Sequence, residues 1–469
     1  MNLHINNRTI NKKLFLSAIL SLALQGHAQE WMKDMASGCE VWNTVPNVQS
    51  VSWAGECVEN KANGTGTLRM TLIDRNEERY EGSFINGKAN GIGKYSWPNL
   101  SVYEGDFVDG IRTGHGKYIF ADGSYYDGHF INGLRTGKGK FVWNNGSIYE
   151  GDFIDSKQTG KGKFIWASGG KYEGDFVDGV QTGKGKFTWP DGSSYEGDFL
   201  NGSRHGRGVF VYADGSRYEG SFIDAKQTGK GKFTWKNGNR YEGDFVDGNQ
   251  TGQGVFSWMD GKRYEGGFIN GQQMGKGKFT WLDKSSYEGD FVKGAQTGKG
   301  KFTFSDGSYY VGNFINGAQT GKGKFVWNNG VEYEGDFING VQTGKGKLSF
   351  NDGSYYEGDF INNAQSGKGK FVWSDHSSYE GDFSEGTPAS NGKHTWSNGM
   401  IFEGTIVGNK KEGFGRFKIP KVLYTAELSS NGKWVGEYFV YEGIFKDDAF
   451  ITSCTKASEC KPLKSGVKK

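Results

Sequence analysis

Proline, cysteine and histidine are scarce in this sequence: six, four and seven of 469 residues. Glycine and the aromatic residues are not scarce. Seventy-eight glycines and 15% Phe, Trp and Tyr, beside so little proline, exclude a helical bundle and ordinary disorder, which is poor in aromatics. A dominant charge is also missing. The formal net charge of +3 gives no global push toward nucleic acid or an anionic membrane. Long apolar runs are missing too. The longest is the eleven-residue stretch Leu14–Leu24, too short to span a bilayer, which takes about 20 residues.

That stretch has the parts of a secretory leader. Arg8, Lys12 and Lys13 precede it without an acid, and Gly26-His27-Ala28 follows with small residues placed for cleavage before Gln29. The alternatives are a buried N-terminal helix or a true membrane anchor. No cysteine follows the apolar run to accept a lipid. Residues 1–28 are therefore expected to be a signal peptide, and the mature chain an exported, soluble protein of the periplasm or extracellular space. The four cysteines agree with an oxidising compartment. Cys39 and Cys57 lie near the mature start, and Cys454 and Cys460 near the end. Four cysteines allow three connectivities; the distance between the clusters favours the local pairs Cys39–Cys57 and Cys454–Cys460. Neither cluster has a CxxC spacing or an adjacent histidine, so no metal is expected.

The most informative feature is self-similarity. The triplet Tyr80-Glu81-Gly82 returns every 23 residues, through Tyr172-Glu173-Gly174 and Tyr195-Glu196-Gly197, to Phe402-Glu403-Gly404. These are fifteen units without an insertion. A looser, longer unit begins at Trp53-Ala54-Gly55, and degenerate segments at Tyr424 and Tyr441 follow. With the tyrosine as position 1, glycine fills positions 3 and 14 in all fifteen units. Position 5 is Phe in fourteen, and position 18 is Trp in ten and another aromatic in four.

One unit reads Tyr172-Glu173-Gly174-Asp175-Phe176, a loop to Thr182, Gly183-Lys184-Gly185-Lys186-Phe187-Thr188-Trp189, then Pro190-Asp191-Gly192. This pattern resembles the MORN (membrane occupation and recognition nexus) repeat, over residues 53 to about 420. The chain departs from the family in favouring Thr-Gly-Lys-Gly-Lys over His-Gly-x-Gly, which only His205-Gly206-Arg207-Gly208 keeps. With the leader, the resemblance implies an exported, bacterial-type member and a protein-binding or membrane-associated spacer.

The residues specify the register independently. Pro190-Asp191-Gly192 suits a three-residue hairpin loop, a type I turn followed by a left-handed glycine. That loop sets Trp189 against Ser193, Phe187 against Tyr195, Lys186 against Glu196, Gly185 against Gly197 and Lys184 against Asp198. Because side chains alternate along a strand, Tyr172, Gly174, Phe176, Gly185, Phe187 and Trp189 then share one face. The other face sets a Glu/Asp row against a Lys row. Glycine weakens a strand, and its constancy implies that large rings lie flat over bare backbone. A lone unit buries too little, so neighbours must stack. The expected fold is all-β: an elongated, twisted single-sheet solenoid of stacked antiparallel β-hairpins. At two strands per unit it would extend roughly 140 Å. Residues 29–52 and 421–469 are expected to cap its edges.

Fifteen near-copies do not make the asymmetric constellation that catalysis needs. The histidines are isolated, the carboxylates have lysine partners, and the Lys-Gly-Lys runs lack a phosphate-loop signature. The sequence therefore reads as a non-catalytic, monomeric scaffold without metal or cofactor, binding a protein or cell-envelope component and no nucleic acid. A glycan-binding surface is the alternative, with Trp143, Trp189, Trp235, Trp281 and Trp327 as candidate platforms. Lipid binding is the third reading, disfavoured because the charge rows nearly cancel.

Overall fold

The computed structural model describes residues 29–425 and 431–460; the expected signal peptide, residues 1–28, lies outside them. The described residues form thirty-seven β-strands and short 3-10 turns, with no α-helix among them. The chain divides into two compact units. One runs to Gly215 and includes Phe222–Ala225; the other comprises Ser216–Ser221 and the chain from Lys226 on. Each is an open stack of antiparallel hairpins.

The hairpin of Tyr172 shows how the sequence builds the stack. Strands Lys171–Val177 and Val180–Thr188 pair with Tyr172 opposite Phe187, Glu173 opposite Lys186 and Gly174 opposite Gly185. The register then shifts, and Asp175 faces Thr182. The next strand, Ser194–Leu200, sets Phe187 against Tyr195, Gly185 against Gly197 and Lys184 against Asp198. This is the register that the Pro190-Asp191-Gly192 turn dictates. The turn is closed by the Trp189 and Ser193 backbones, with Trp189 N–H donating to the Ser193 carbonyl at 2.9 Å.

Between Phe176 and Thr182 the structure corrects the sequence reading, which made this stretch a loop. Both strands continue to a two-residue turn, Asp178-Gly179, with φ of 50° and 84°. Positive φ at both central residues is the type I′ geometry that suits hairpin twist and favours Asn-Gly or Asp-Gly. The register shift is a bulge at Gly183 (φ 61°), a left-handed position that glycine adopts without strain. The bulge frees the Lys184 N–H, which the Asp175 carboxylate accepts at 2.9 Å.

The repeat extends beyond its regular copies at both ends. Trp53, buried, takes the place of the first tyrosine: its indole N–H donates to the Glu56 carbonyl at 2.9 Å, and its ring crowds Gly55 and Gly66. Toward the C-terminus, Tyr441-Glu442-Gly443 resumes the repeat register against Phe417, Arg416 and Gly415. Tyr424 does not; it packs on Trp434 and Phe439. Ahead of the first hairpin, strands Glu30–Lys33 and Glu40–Asn43 pair antiparallel, and Trp42 N–H donates to the Gly87 carbonyl at 2.7 Å. Cys39 is bonded to Cys57 and Cys454 to Cys460, with Cα atoms 5.9 and 5.5 Å apart.

Candidate interaction surface

The two faces of the hairpin stack offer different chemistry. On the aromatic face, Tyr172 and Phe176 are buried. A Cβ added to Gly174 would lie 2.6 Å from the Tyr172 hydroxyl, and one on Gly185 would overlap the same ring. The ring therefore occupies the space that the paired glycines leave. Its hydroxyl donates to the Asp175 carbonyl at 3.1 Å, beside the bulge. The equivalent Tyr195 hydroxyl reaches the Asp198 carbonyl at 2.9 Å, and burial pushes its pKa up to about 12. From Tyr172 the pattern is plain, since the ring meets its own Phe and the Phe of the following hairpin edge-to-face, 5.1 Å from Phe176 and 4.9 Å from Phe199.

A second aromatic row runs along the opposite edge of this face. Phe187 and Trp189 are tilted together at 4.4 Å, and Trp189 lies 5.3 Å from Phe210. The five candidate platforms, Trp143, Trp189, Trp235, Trp281 and Trp327, all sit in this row and are half-buried. Trp143, Trp189, Trp235 and Trp281 each lie between two phenylalanines, as Trp235 does between Phe233 and Phe256.

On the charged face, the lysine at position 13 meets the aspartate at position 4 of the next hairpin. Lys184 Nζ is 2.5 Å from Asp198, and Lys345 is 2.7 Å from Asp359. That lysine holds the Asp198 carboxyl below the usual range, aided by the Arg207 N–H. The Glu/Lys rung beside it is looser, with Lys186 3.6 Å from Glu196. The two charge rows are thus unequal: aspartate both caps a bulge and ties neighbouring hairpins together. Where the lysine is replaced its partner changes in some hairpins, although Ile92 still faces Asp106. Gln253 faces Gly267, and His115 faces His129. In the second unit a groove floored by the glycine pairs runs along this face. Its stretch from Gln253 to Lys322 has a volume of 1160 Å³.

Position 6 adds a feature that the sequence reading passed over. It holds an exposed aliphatic residue beside the type I′ turn: Ile131, Ile154 and Val177 in the first unit, Ile315, Ile338 and Ile361 in the second, at 57–61% exposure. Strand alternation puts this residue on the charged face with the acids at positions 2 and 4. The signal was the recurrence of Val, Ile or Leu at position 6, just before a residue pair that is most often Asp-Gly or Asn-Gly. It was hidden because the segment was read as a loop, where alternation has no meaning. No cluster of three or more metal-binding side chains occurs among the described residues.

Stacked hairpins with rings seated over paired glycines define a β-repeat scaffold. The MORN repeat model matches fifteen consecutive segments, from 80–102 to 402–421, and the chain belongs to the MORN-repeat family, whose repeats form scaffolds for binding interactions. No curated protein matches the chain. Solved structures with limited likeness include the TCP domain of SAS-4 of Drosophila melanogaster, in complex with a proline-rich motif of Ana2. It is 14% identical over 38% of this chain and 85% of that one, with a TM-score of 0.21. A streptogramin B lyase is 13% identical over 60% of this chain and 87% of its own, with a TM-score of 0.11. At such scores neither bears on fold or function.

Proposed function

We propose that this is an exported, non-catalytic scaffold that binds an elongated protein or cell-envelope partner along its charged face. The aliphatic row at position 6 carries the proposal. Single exposed aliphatics are ordinary on a protein surface, but their recurrence in one register of the charged face supports an interaction site. The row recurs at the period of the array, about 10 Å for two strands, so a partner with a comparable repeat would meet it unit after unit. Export rests on the leader and on the two disulfides, which suit an oxidising compartment. The stapled segments at the two ends are read as caps on the sheet edges.

The glycan reading needs free ring faces. Four of the five candidate tryptophans have a ring on either side, which restricts access to their faces. That favours the scaffold reading. The test places a photo-crosslinking residue beside Ile338 in the full chain, with and without Ile315→Thr, Ile338→Thr and Ile361→Thr. Site-specific crosslinks to an envelope or secreted protein that vanish in the triple variant would support the proposal. Crosslinks that survive it would refute the use of this row. Export is checked separately by N-terminal sequencing of the mature protein, expected to begin at Gln29.

A further inference from the structure

In the second unit most rungs of the charged face pair a cation with an acid, and at one interface both cations lack the acid that should face them. At most interfaces between hairpins here two cations face two acids: Lys276 and Lys278 face Asp290 and Glu288, and Lys345 and Lys347 face Asp359 and Glu357. Lys299 and Lys301 instead face Asn313 and Val311. Both acids are lost from one hairpin while both lysines remain. Among the described residues the Lys299 ammonium has no carboxylate within ion-pair distance, and Lys301, which keeps Glu288 opposite it in its own hairpin, sits over the Tyr309 ring at 4.3 Å. The change is opposite in sign to that between Gln253 and Gly267, where both cations are lost, Val255 replacing the second, and Glu265 remains. The two lysines lie two residues apart on one strand, so their Cα atoms are about 6.6 Å apart on the same face. They line the groove together with Val311 and Asn313.

We infer that this rung, Lys299 with Lys301, is an anion-recognition site for an acidic stretch of an extended peptide partner, whose carboxylates supply the two missing charges. The inference rests on the proposed scaffold role and names what its groove selects. Charge complementarity identifies the occupant. A pair of lysines that lack acids on the side of the following hairpin attracts carboxylates there, and Asn313 adds an amide where its neighbours carry a repelling aspartate. Since the flanking rungs are neutralised internally, recognition is confined to a short acidic segment and does not extend to a long polyanion.

The repeat itself supplies variants that preserve the fold. Val311→Glu with Asn313→Asp restores the residues found at these positions in most other units. Glu288→Val with Asp290→Asn transplants the exception onto the preceding rung. Binding of a fluorescent ten-residue peptide of alternating Glu and Gly to the full chain is measured by anisotropy at low salt. Anionic vesicles and inorganic phosphate serve as separate probes. The restored variant should bind the peptide about tenfold more weakly, and the transplanted variant more tightly than the parent. No peptide binding by the parent, unchanged binding by the restored variant, or binding of vesicles or phosphate without the peptide would each overturn the inference. The Ile315, Ile338 and Ile361 crosslinks are scored in the same restored variant. Crosslinks that persist while peptide affinity stays unchanged remove this site alone, whereas crosslinks indifferent to the threonine substitutions remove the scaffold reading.

Discussion

Two rows of rings run along the same face of the hairpin stack, and they obey different rules. In the row of Tyr172 and Phe176 the rings are buried and meet nearly perpendicular, at 88°. In the row of Phe187 and Trp189 they are half-exposed and tilted at 44°. The first row admits almost no variation: its tyrosine position changes once, to Phe402, and its phenylalanine once, to Ile406. The second accepts Trp189, Phe120, Tyr212 and Ile419 at one position. Hydrophobic burial alone does not explain the contrast, since both rows cover apolar surface. The tyrosine is held at three points: over two glycine backbones, at the carbonyl beside the bulge, and against two ring edges. The tryptophan is held by its neighbours' rings and, at Trp189, by the Arg204 guanidinium 5.5 Å from the ring centroid.

The sharpest way to break this contrast is alkaline titration. Burial raises the tyrosines of the first row, with Tyr195, Tyr241 and Tyr287 each at about 12. A phenol with a raised folded pKa contributes stability that is fully present below its unfolded value of 10. That stability declines as pH rises through 12. Ultraviolet absorbance should show these phenols silent until cooperative unfolding near pH 12, while exposed tyrosines titrate earlier. Smooth ionisation of all tyrosines near pH 10 would refute the buried row. Next in size is truncation. Tyr172→Ala should cost about 4 kcal/mol, read by hydrogen exchange of residues 171–188. Gly185→Ala, whose new methyl meets the Tyr172 ring, should cost about 2–3 kcal/mol. Smaller again is Tyr172→Phe, which leaves the Asp175 carbonyl without its phenol donor at a cost of about 1 kcal/mol. Trp189→Phe, a residue already standing at Phe120 and Phe304, should cost less. Equal losses in the last two variants would erase the distinction between the rows.

Much of this was legible in the sequence because the period is strict. The recurring Tyr-Glu-Gly-x-Phe pattern resembles the MORN repeat, and Pro190-Asp191-Gly192 specifies the register of Phe187 with Tyr195 and Lys184 with Asp198. The seating of rings on glycine followed from the constancy of Gly174 and Gly185. The type I′ turn was missed although Asp178-Gly179 spelled it, because the bulge at Gly183 breaks alternation just where the second strand begins. With that strand misread, Val177 had no assigned face and the aliphatic row went unseen. The phenol's bond to the Asp175 carbonyl was also out of reach, since only three-dimensional folding shows that the bulge leaves a carbonyl beside the ring. Conversely, Lys299 and Lys301 look ordinary in sequence. Their exception appears only when each lysine is paired with the acid of the following hairpin.

The smallest expected effect tests whether the buried row, and not the turn, dominates each hairpin's stability. Most type I′ turns here end in glycine or asparagine, but Asp224-Ala225 places an alanine at φ 66°. Its N–H still donates to the Arg204 carbonyl at 2.9 Å, so the turn is built as its neighbours are. A left-handed alanine carries a steric penalty of about 1–2 kcal/mol that glycine avoids, partly offset by glycine's greater freedom in the unfolded chain. Ala225→Gly should therefore stabilise by about 0.5 kcal/mol in denaturant titration, and Gly179→Ala should destabilise by a similar amount. Both changes are small beside the loss from Tyr172→Ala. If the turn variants instead matched it, hairpin stability would reside in the type I′ turns, and the two ring rows would differ in exposure without differing in importance.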